Sequence, residues 1–228
     1  WGSRLVTAYL YMIDYAVEKY GIGNKQVLDV ACGTGNLLGV LSQRGFHCTG
    51  IDLSKEMITV AREMYPDIRF SVADMTSIHS ERNYGIILNT FNSVNYLLSK
   101  HDVMEMLHAV KQILAPEGVY ILDFSTENLY KRHFVGAYKH EYPGVTFMQI
   151  CEYDRACRIG RTRFVYQDGQ EELHEQRAYS RRAILDMIAA AGFDILDAFG
   201  HFDMSPQDDA SLRYIFILRR ANDFFSLL

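Results

Sequence analysis

The stretch Val27-Leu28-Asp29-Val30-Ala31-Cys32-Gly33-Thr34-Gly35 joins a short apolar run to an acid and two closely spaced glycines. Glycine lets main chain approach a ligand that any Cβ would displace, and a helix starting just after the glycines offers free N–H groups. Downstream, Gly50-Ile51-Asp52 puts a second acid at the end of another apolar run. A carboxylate there can accept both hydroxyls of a ribose, so the pattern fits a nucleoside-bearing cofactor. The dinucleotide fingerprint wants a third glycine, but position 38 is Leu. Asp29 would also repel a pyrophosphate, whereas a ligand with an ammonium, a sulfonium and no phosphate would welcome it. Leu38 and Asp29 therefore disfavour an NAD-type oxidoreductase.

The elements that must position these groups show in the apolar spacing. Leu5, Ala8, Tyr9, Met12, Ile13, Ala16 and Val17 recur three and four apart, so residues 4–20 read as an amphipathic helix ended by Gly21 and Gly23. Strand-like runs follow at 26–31, 47–51, 68–72, 84–88 and 117–124, alternating with helix-like runs at 35–44, 54–64 and 101–114. Ser54 caps one of these helices and Pro116 marks the end of another. Such alternation predicts a parallel sheet with helices on both faces. After about residue 128 the rhythm changes. Segments 145–154, 159–167 and 171–178 are rich in Tyr, Phe, Val, Thr and Arg, lack helical signals, and have the turn pair Asp168-Gly169 between the last two. They read as a small antiparallel sheet inserted into the main domain. Ser180 then caps a helix carrying Ile184, Leu185, Ile188 and Ala191, Gly192 closes it, and strands at 193–200 and 212–219 flank a turn-rich loop. The predicted organisation is a core over 1–128, an insertion serving as a substrate lid over 129–179, and a helix and two strands over 180–228 that complete the core.

Of the 228 residues, 49% are hydrophobic and 22% charged, an ordinary globular balance with enough chain for a sizeable core. The net charge of −5 gives no basic footprint for nucleic acid, and Arg155, Arg158, Arg161 and Arg163 read as a solvated strand face. Cys32, Cys48, Cys151 and Cys157 show neither a CxxC pair nor zinc spacing, and the histidines lack metal-ligand spacing, so no metal is expected. No run approaches the roughly 20 apolar residues of a membrane span, and reduced thiols suit a cytoplasmic protein. The chain opens on Trp1 rather than Met, so nothing about a leader follows. The apolar end Phe224-Phe225-Ser226-Leu227-Leu228 is expected to pack on its own domain or on a second subunit, which leaves monomer and homodimer both open.

Taken in order, residues 27–35, Gly50-Ile51-Asp52-Leu53-Ser54 with Met57, Ala73-Asp74-Met75, Leu88-Asn89-Thr90-Phe91-Asn92 and Leu114-x-Pro116-x-Gly118 resemble the landmarks of class I, Rossmann-like S-adenosylmethionine-dependent methyltransferases, and within them the glycine, sugar and other small-molecule N-methyltransferases. The resemblance implies an α/β fold: a seven-stranded, mostly parallel sheet with helices on both faces and a small antiparallel β insertion. It implies S-adenosyl-L-methionine as cofactor and S-adenosyl-L-homocysteine as product. Gly33 and Gly35, with the backbone at Ala31, would contact the methionine part, and Asp29 would support its amine. Asp52 would hold the ribose, with Leu53 and Met57 flanking the adenine. Asp74 would accept from the adenine amino group beside the backbone of Met75. Asn89 would face the methionine end and the transferring methyl, the one candidate for a catalytic, positioning role. Arg4 would serve the cofactor carboxylate, and Trp1 would cover the same pocket.

Methyl transfer from a sulfonium is an in-line displacement that needs alignment and exclusion of water more than covalent help. The sequence therefore need not display a conspicuous catalytic residue. Ligands in this architecture bind at the carboxyl ends of the strands. Tyr9, Phe91, Tyr142 beside His140, and His201 are the candidate contacts there to a small organic acceptor. The Asn-Pro-Pro-Tyr signature of enzymes that methylate base or glutamine amides is absent at Asn89-Thr90-Phe91-Asn92. The expected activity is methylation of a small molecule, an amine ahead of a hydroxyl. An O-methyltransferase of a hydroxylated metabolite and a catalytically silent cofactor-binding regulatory module are the alternatives. Neither a nucleic-acid nor a membrane partner is expected.

Overall fold

The computed structural model describes residues 2–221. Trp1 and the apolar end 224–228 lie outside the described residues, as does the side chain of Arg4. The chain begins with helix α1 (Gly2–Tyr20), then alternates β1 (Gln26–Val30), α2 (Asn36–Gln43), β2 (His47–Asp52), α3 (Lys55–Met64) and β3 (Arg69–Val72). Strand β4 (Tyr84–Asn89) leads through a short 3-10 helix (Ser93–Tyr96) to α4 (Lys100–Ile113), β5 (Leu114–Ser125) and α5 (Glu127–His133). Strands β6 (Gly136–Tyr142), β7 (Val145–Asp154), β8 (Ile159–Tyr166) and β9 (Glu171–Arg177) follow, then α6 (Arg181–Ala190), β10 (Phe193–Phe199) and β11 (Arg213–Arg220).

Seven strands form one sheet in the order β10-β11-β5-β4-β1-β2-β3, in which β11 runs antiparallel to both neighbours and the other pairings are parallel. This is the expected mostly parallel sheet. The order reverses between β1 and β4, which leaves a crevice at their carboxyl ends where ligands bind in open α/β sheets.

The central strands β1, β4 and β5 are largely apolar because helices cover both faces. Leu28, Val30, Ile87, Leu122 and Phe216 face the layer of α4 and α6, whereas Val27, Ile86, Leu88, Ile121 and Ile217 face α1, α2 and α3. Each such fully buried aliphatic side chain contributes about 1.5–3 kcal/mol relative to exposure. Among the described residues, no helix is long and apolar enough to cross a membrane.

The second sheet is antiparallel in the order β6-β7-β8-β9. The Asp168-Gly169 turn lies where the sequence puts it: the Tyr166 carbonyl accepts from the Gly169 N–H (3.0 Å), and Gly169 takes a φ of 84° open to glycine. The outer face carries only Arg161 and Arg163 of the arginine run, paired across strands to Glu175 (2.8 Å) and Glu171 (3.7 Å), whereas Arg155 and Arg158 lie in the turn between β7 and β8 rather than on a strand face.

Three further expectations need correction. The sheet has a fourth strand, β6, whose sequence Gly-Ala-Tyr-Lys-His-Glu-Tyr is mostly exposed and offers no apolar alternation to read. The segment after residue 128 also contains helical residues, since α5 runs to His133; Glu127 at its start and Lys131, Arg132 and His133 at its end suit the helix dipole. Finally, Pro116 lies within β5 rather than before it. The β4–β5 register jumps from Tyr84↔Leu114 to Ile86↔Val119, so Pro116 occupies an irregular stretch where no ladder N–H is required.

Candidate active site at the carboxyl edge of the sheet

Strand β1 delivers Asp29 into the interior, between Gly50 of β2 and Leu88 of β4. Its carboxyl is 3% exposed, and one oxygen, Oδ1, has no protein partner. Burial, and after it the charge of Asp52, pushes this carboxyl up to about 8. A buried acid in that condition is relieved by a cation.

Beyond β1 the backbone makes left-handed turns at Ala31 (φ 62°), Gly33 (φ 55°) and Gly35 (φ 77°). The open space beside Gly33 has nothing within 4 Å of a would-be Cβ, so its glycine is demanded by conformation. At Gly35 a Cβ would also come within 2.7 Å of the Phe70 ring. The loop is tied to β2, because Cys32 N–H donates to the Ile51 carbonyl (2.9 Å) and Gly33 N–H donates to Asp52 Oδ2 (2.8 Å). Asp52 Oδ1 accepts from Ser54 N–H (2.9 Å). Asp52 thus lies half-buried at the lip, braced against both the glycine loop and the start of α3. Next to it Leu53 (70% exposed) and Met57 (45% exposed) offer an apolar shelf open to a flat ligand.

Asp74 is exposed, and its Oδ1 accepts from the N–H and the hydroxyl of Thr76 (both 2.8 Å), holding a turn beside half-buried Met75. Asn89, fully buried at the end of β4, donates from Nδ2 to the Val30 carbonyl (2.9 Å) and Ser93 Oγ (3.0 Å). Its Oδ1 is unpartnered. Three elements thus bring Asp29, Asp52 and Asn89 to one edge.

The acceptor candidates scatter more widely. Phe91 is half-buried in a strained left-handed turn with Asn92 (φ 56° and 53°). Tyr9 is fully buried, packing on Phe91 (4.8 Å) and Phe202 (5.3 Å), so it stands behind the wall rather than on its surface. Tyr142 is exposed at the far end of β6, stacked with His140 and Phe147. His201 is half-buried in the loop between β10 and β11.

A buried network beneath these residues escaped the sequence reading. Asp123 of β5 is fully buried, and its Oδ2 accepts from Arg213 Nη1 of β11 (2.5 Å), from Asn92 N–H (3.0 Å) and from the Tyr9 hydroxyl. Tyr9 Oη in turn accepts from Phe91 N–H (2.9 Å). Burial, and then the negative charge of Asp123, raises the Tyr9 phenol well above its ordinary range and keeps it a donor. Arg213 lies over the Phe202 ring at 4.7 Å. The signal was present: an acid inside Val-Tyr-Ile-Leu-Asp-Phe and an arginine opening Tyr-Ile-Phe-Ile-Leu both break the apolar pattern.

The glycine loop at the switch point, the two acids and the absence of a third glycine define a Rossmann-like site for a cationic nucleoside ligand, and S-adenosylmethionine fits it: its ammonium suits the unpaired Asp29 oxygen. Residues 27–118 match the methyltransferase-domain family, so the chain carries a methyltransferase domain of the class I, S-adenosylmethionine-dependent kind. A putative methyltransferase of Geobacillus sp. is 24% identical, covering 93% of this chain and 92% of its own. The dTDP-3-amino-3,6-dideoxy-alpha-D-glucopyranose N,N-dimethyltransferase of Streptomyces fradiae is 25% identical over 78% of this chain and 74% of its own. The crystal structure of an S-adenosylmethionine-dependent methyltransferase from Clostridium acetobutylicum superimposes with a TM-score of 0.82 at 22% identity, covering 92% of this chain and 89% of that one.

Proposed function

We propose that this methyltransferase acts on the amino group of a small-molecule acceptor. When bound, the cofactor supplies an electrophilic methyl on a sulfonium. The protein's part is to orient it: Asp29 takes the ammonium, the backbone from Ala31 to Gly35 the methionine part, Asp52 the ribose, and Leu53 and Met57 the adenine faces, with Asp74 and Met75 at the adenine edge. Asn89 Oδ1 borders the transferring methyl. Arg4 and Trp1 keep their assignment near the methionine carboxylate. The acceptor enters between Phe91, His201 and the antiparallel sheet, with residues 129–179 as its lid and Tyr142 as an outer contact. The core then consists of 1–128 completed by 180–228.

The observation that carries the donor half is the unpaired, buried carboxyl of Asp29. The amine half draws support from the Streptomyces fradiae relative, whose name specifies N,N-dimethylation of an amino sugar. In a thermal-shift titration, S-adenosylmethionine or S-adenosylhomocysteine should stabilise the chain and NAD should not. A panel of amines, amino sugars and phenols, assayed for S-adenosylhomocysteine release, then tests the acceptor. Turnover of phenols alone would refute the amine reading, and no turnover at all would favour a silent module.

A further inference from the structure

The acceptor side of the crevice carries a polar pair that the donor site does not use. The 3-10 helix Ser93–Tyr96 follows Asn89 directly and is held firmly. Fully buried Asn95 donates from Nδ2 to the carbonyls of Ser125 (3.1 Å) and Arg177 (2.8 Å), and its Oδ1 accepts from Ser125 N–H (2.9 Å). The Leu97 carbonyl accepts from the Tyr179 hydroxyl (2.5 Å), and the Leu98 carbonyl accepts from Arg177 Nε. Tyr96 is therefore fixed although it is 45% exposed. Its hydroxyl lies 3.0 Å from Nδ1 of His174 on β9, and His174 Nε2 lies 3.5 Å from a Glu172 carboxylate oxygen. The Phe164 ring, at 5.3 Å and edge-on, props the imidazole. Burial, and after it the charge of Asp52, raises the Tyr96 phenol, so Tyr96 feels the carboxylate assigned to the ribose.

We propose that Tyr96 is the catalytic residue facing the acceptor and that His174 positions it and receives its proton. This inference rests on the small-molecule acceptor reading above. The Glu172 carboxylate favours a proton on His174 Nε2, which leaves the Nδ1 lone pair to accept from the Tyr96 hydroxyl. In the transfer, the acceptor's lone pair forms the bond to the methyl carbon, and the carbon–sulfur pair stays on sulfur as a neutral thioether. The proton shed by the nucleophile passes to the Tyr96 oxygen while the phenolic proton passes to Nδ1. The positive charge lost at sulfur thus reappears on His174, beside Glu172. The other titratable groups facing the pair are Asp52 of β2 and Tyr130 of α5.

Two measurements test the pair. Ring nitrogen NMR of the full chain with S-adenosylhomocysteine, at about pH 8, needs no acceptor. It should show His174 protonated at Nε2 and bare at Nδ1; a proton on Nδ1 would overturn the relay. With an acceptor identified by the panel, Tyr96→Phe should lower kcat about 100-fold, the usual scale for a lost general base, with acceptor KM and S-adenosylmethionine affinity little changed. His174→Gln should lower kcat and flatten its pH profile. An unchanged kcat in Tyr96→Phe, with the cofactor still bound, would overturn the proposal. If nothing in the panel turns over, the acceptor reading fails, while the nitrogen spectrum still decides the geometry of the pair.

Discussion

At the carboxyl edge of the seven-stranded sheet two carboxylates are buried: Asp29 keeps Oδ1 unpaired, and Asp123 gathers Arg213, Asn92 and Tyr9 on Oδ2 while its own Oδ1 stays unpaired. On the outer face of the four-stranded sheet ionisable groups are numerous, exposed and paired across strands, as in Arg161 with Glu175. The two regions teach different things about tolerance. A buried charge must have its partner, which constrains each residue to one solution, whereas an exposed pair is screened by water and can be exchanged at small cost. The edge assigned to the donor is built in the first way. The segment assigned to the acceptor is built on a support that can vary.

The sharpest break in that comparison comes at Asp123. Asp123→Ala strands the Arg213 guanidinium, 15% exposed, without its carboxylate, and should cost about 3–5 kcal/mol, read from urea denaturation. A loss below about 1 kcal/mol, the scale of an exposed pair, would erase the distinction between the regions.

Asp29 comes next. Asp29→Asn should weaken S-adenosylmethionine binding about 10–100-fold by calorimetry, the worth of a hydrogen bond to a charged group. Without ligand the same variant should be more stable at pH 8. The folded carboxyl sits at about 8, above its unfolded value of about 3.9, so the folded state binds the extra proton and stability falls as pH rises between them. Equal binding by the variant and the wild type would remove Asp29 from the site.

The same group sets a pH effect on the intact protein. Between pH 6 and 8, taking up a cationic cofactor must expel the Asp29 proton. Affinity should then rise with pH by up to about tenfold per unit, and the heat of binding should change with the ionisation enthalpy of the buffer. A flat affinity with buffer-independent heat contradicts this.

The smallest effect is expected on the outer face. Arg161→Ala removes a side chain that is 40% exposed and should cost at most about 0.5 kcal/mol. A thermal transition lowered as far as that of Asp123→Ala would mean that the face is not simply solvated.

Much of the donor half was legible because its signals are local. The glycines of 33 and 35 and the acid at 29 lie within one short loop, and Asp52 closes the next strand, so spacing alone suggests their meeting. The central parallel strands read clearly as well, being largely apolar on both faces. The acceptor half depends on partners far apart in sequence. Asp123 meets Arg213 across two antiparallel strands, and Tyr96 meets His174 only because the inserted sheet folds back over the 3-10 helix. Strand β6 was hidden for another reason: an exposed edge strand needs no apolar alternation to pair with β7.

Asn95 gives this architecture an interchangeable joint. Its single buried amide fastens the 3-10 helix to the core through Ser125 and to the inserted sheet through the Arg177 carbonyl. The grip on the insertion is to main chain, which any amino acid supplies. A chimera carrying a foreign antiparallel module should therefore keep cofactor affinity provided that the module presents one carbonyl at that place. New acceptors become reachable by transplantation rather than by rebuilding the enzyme.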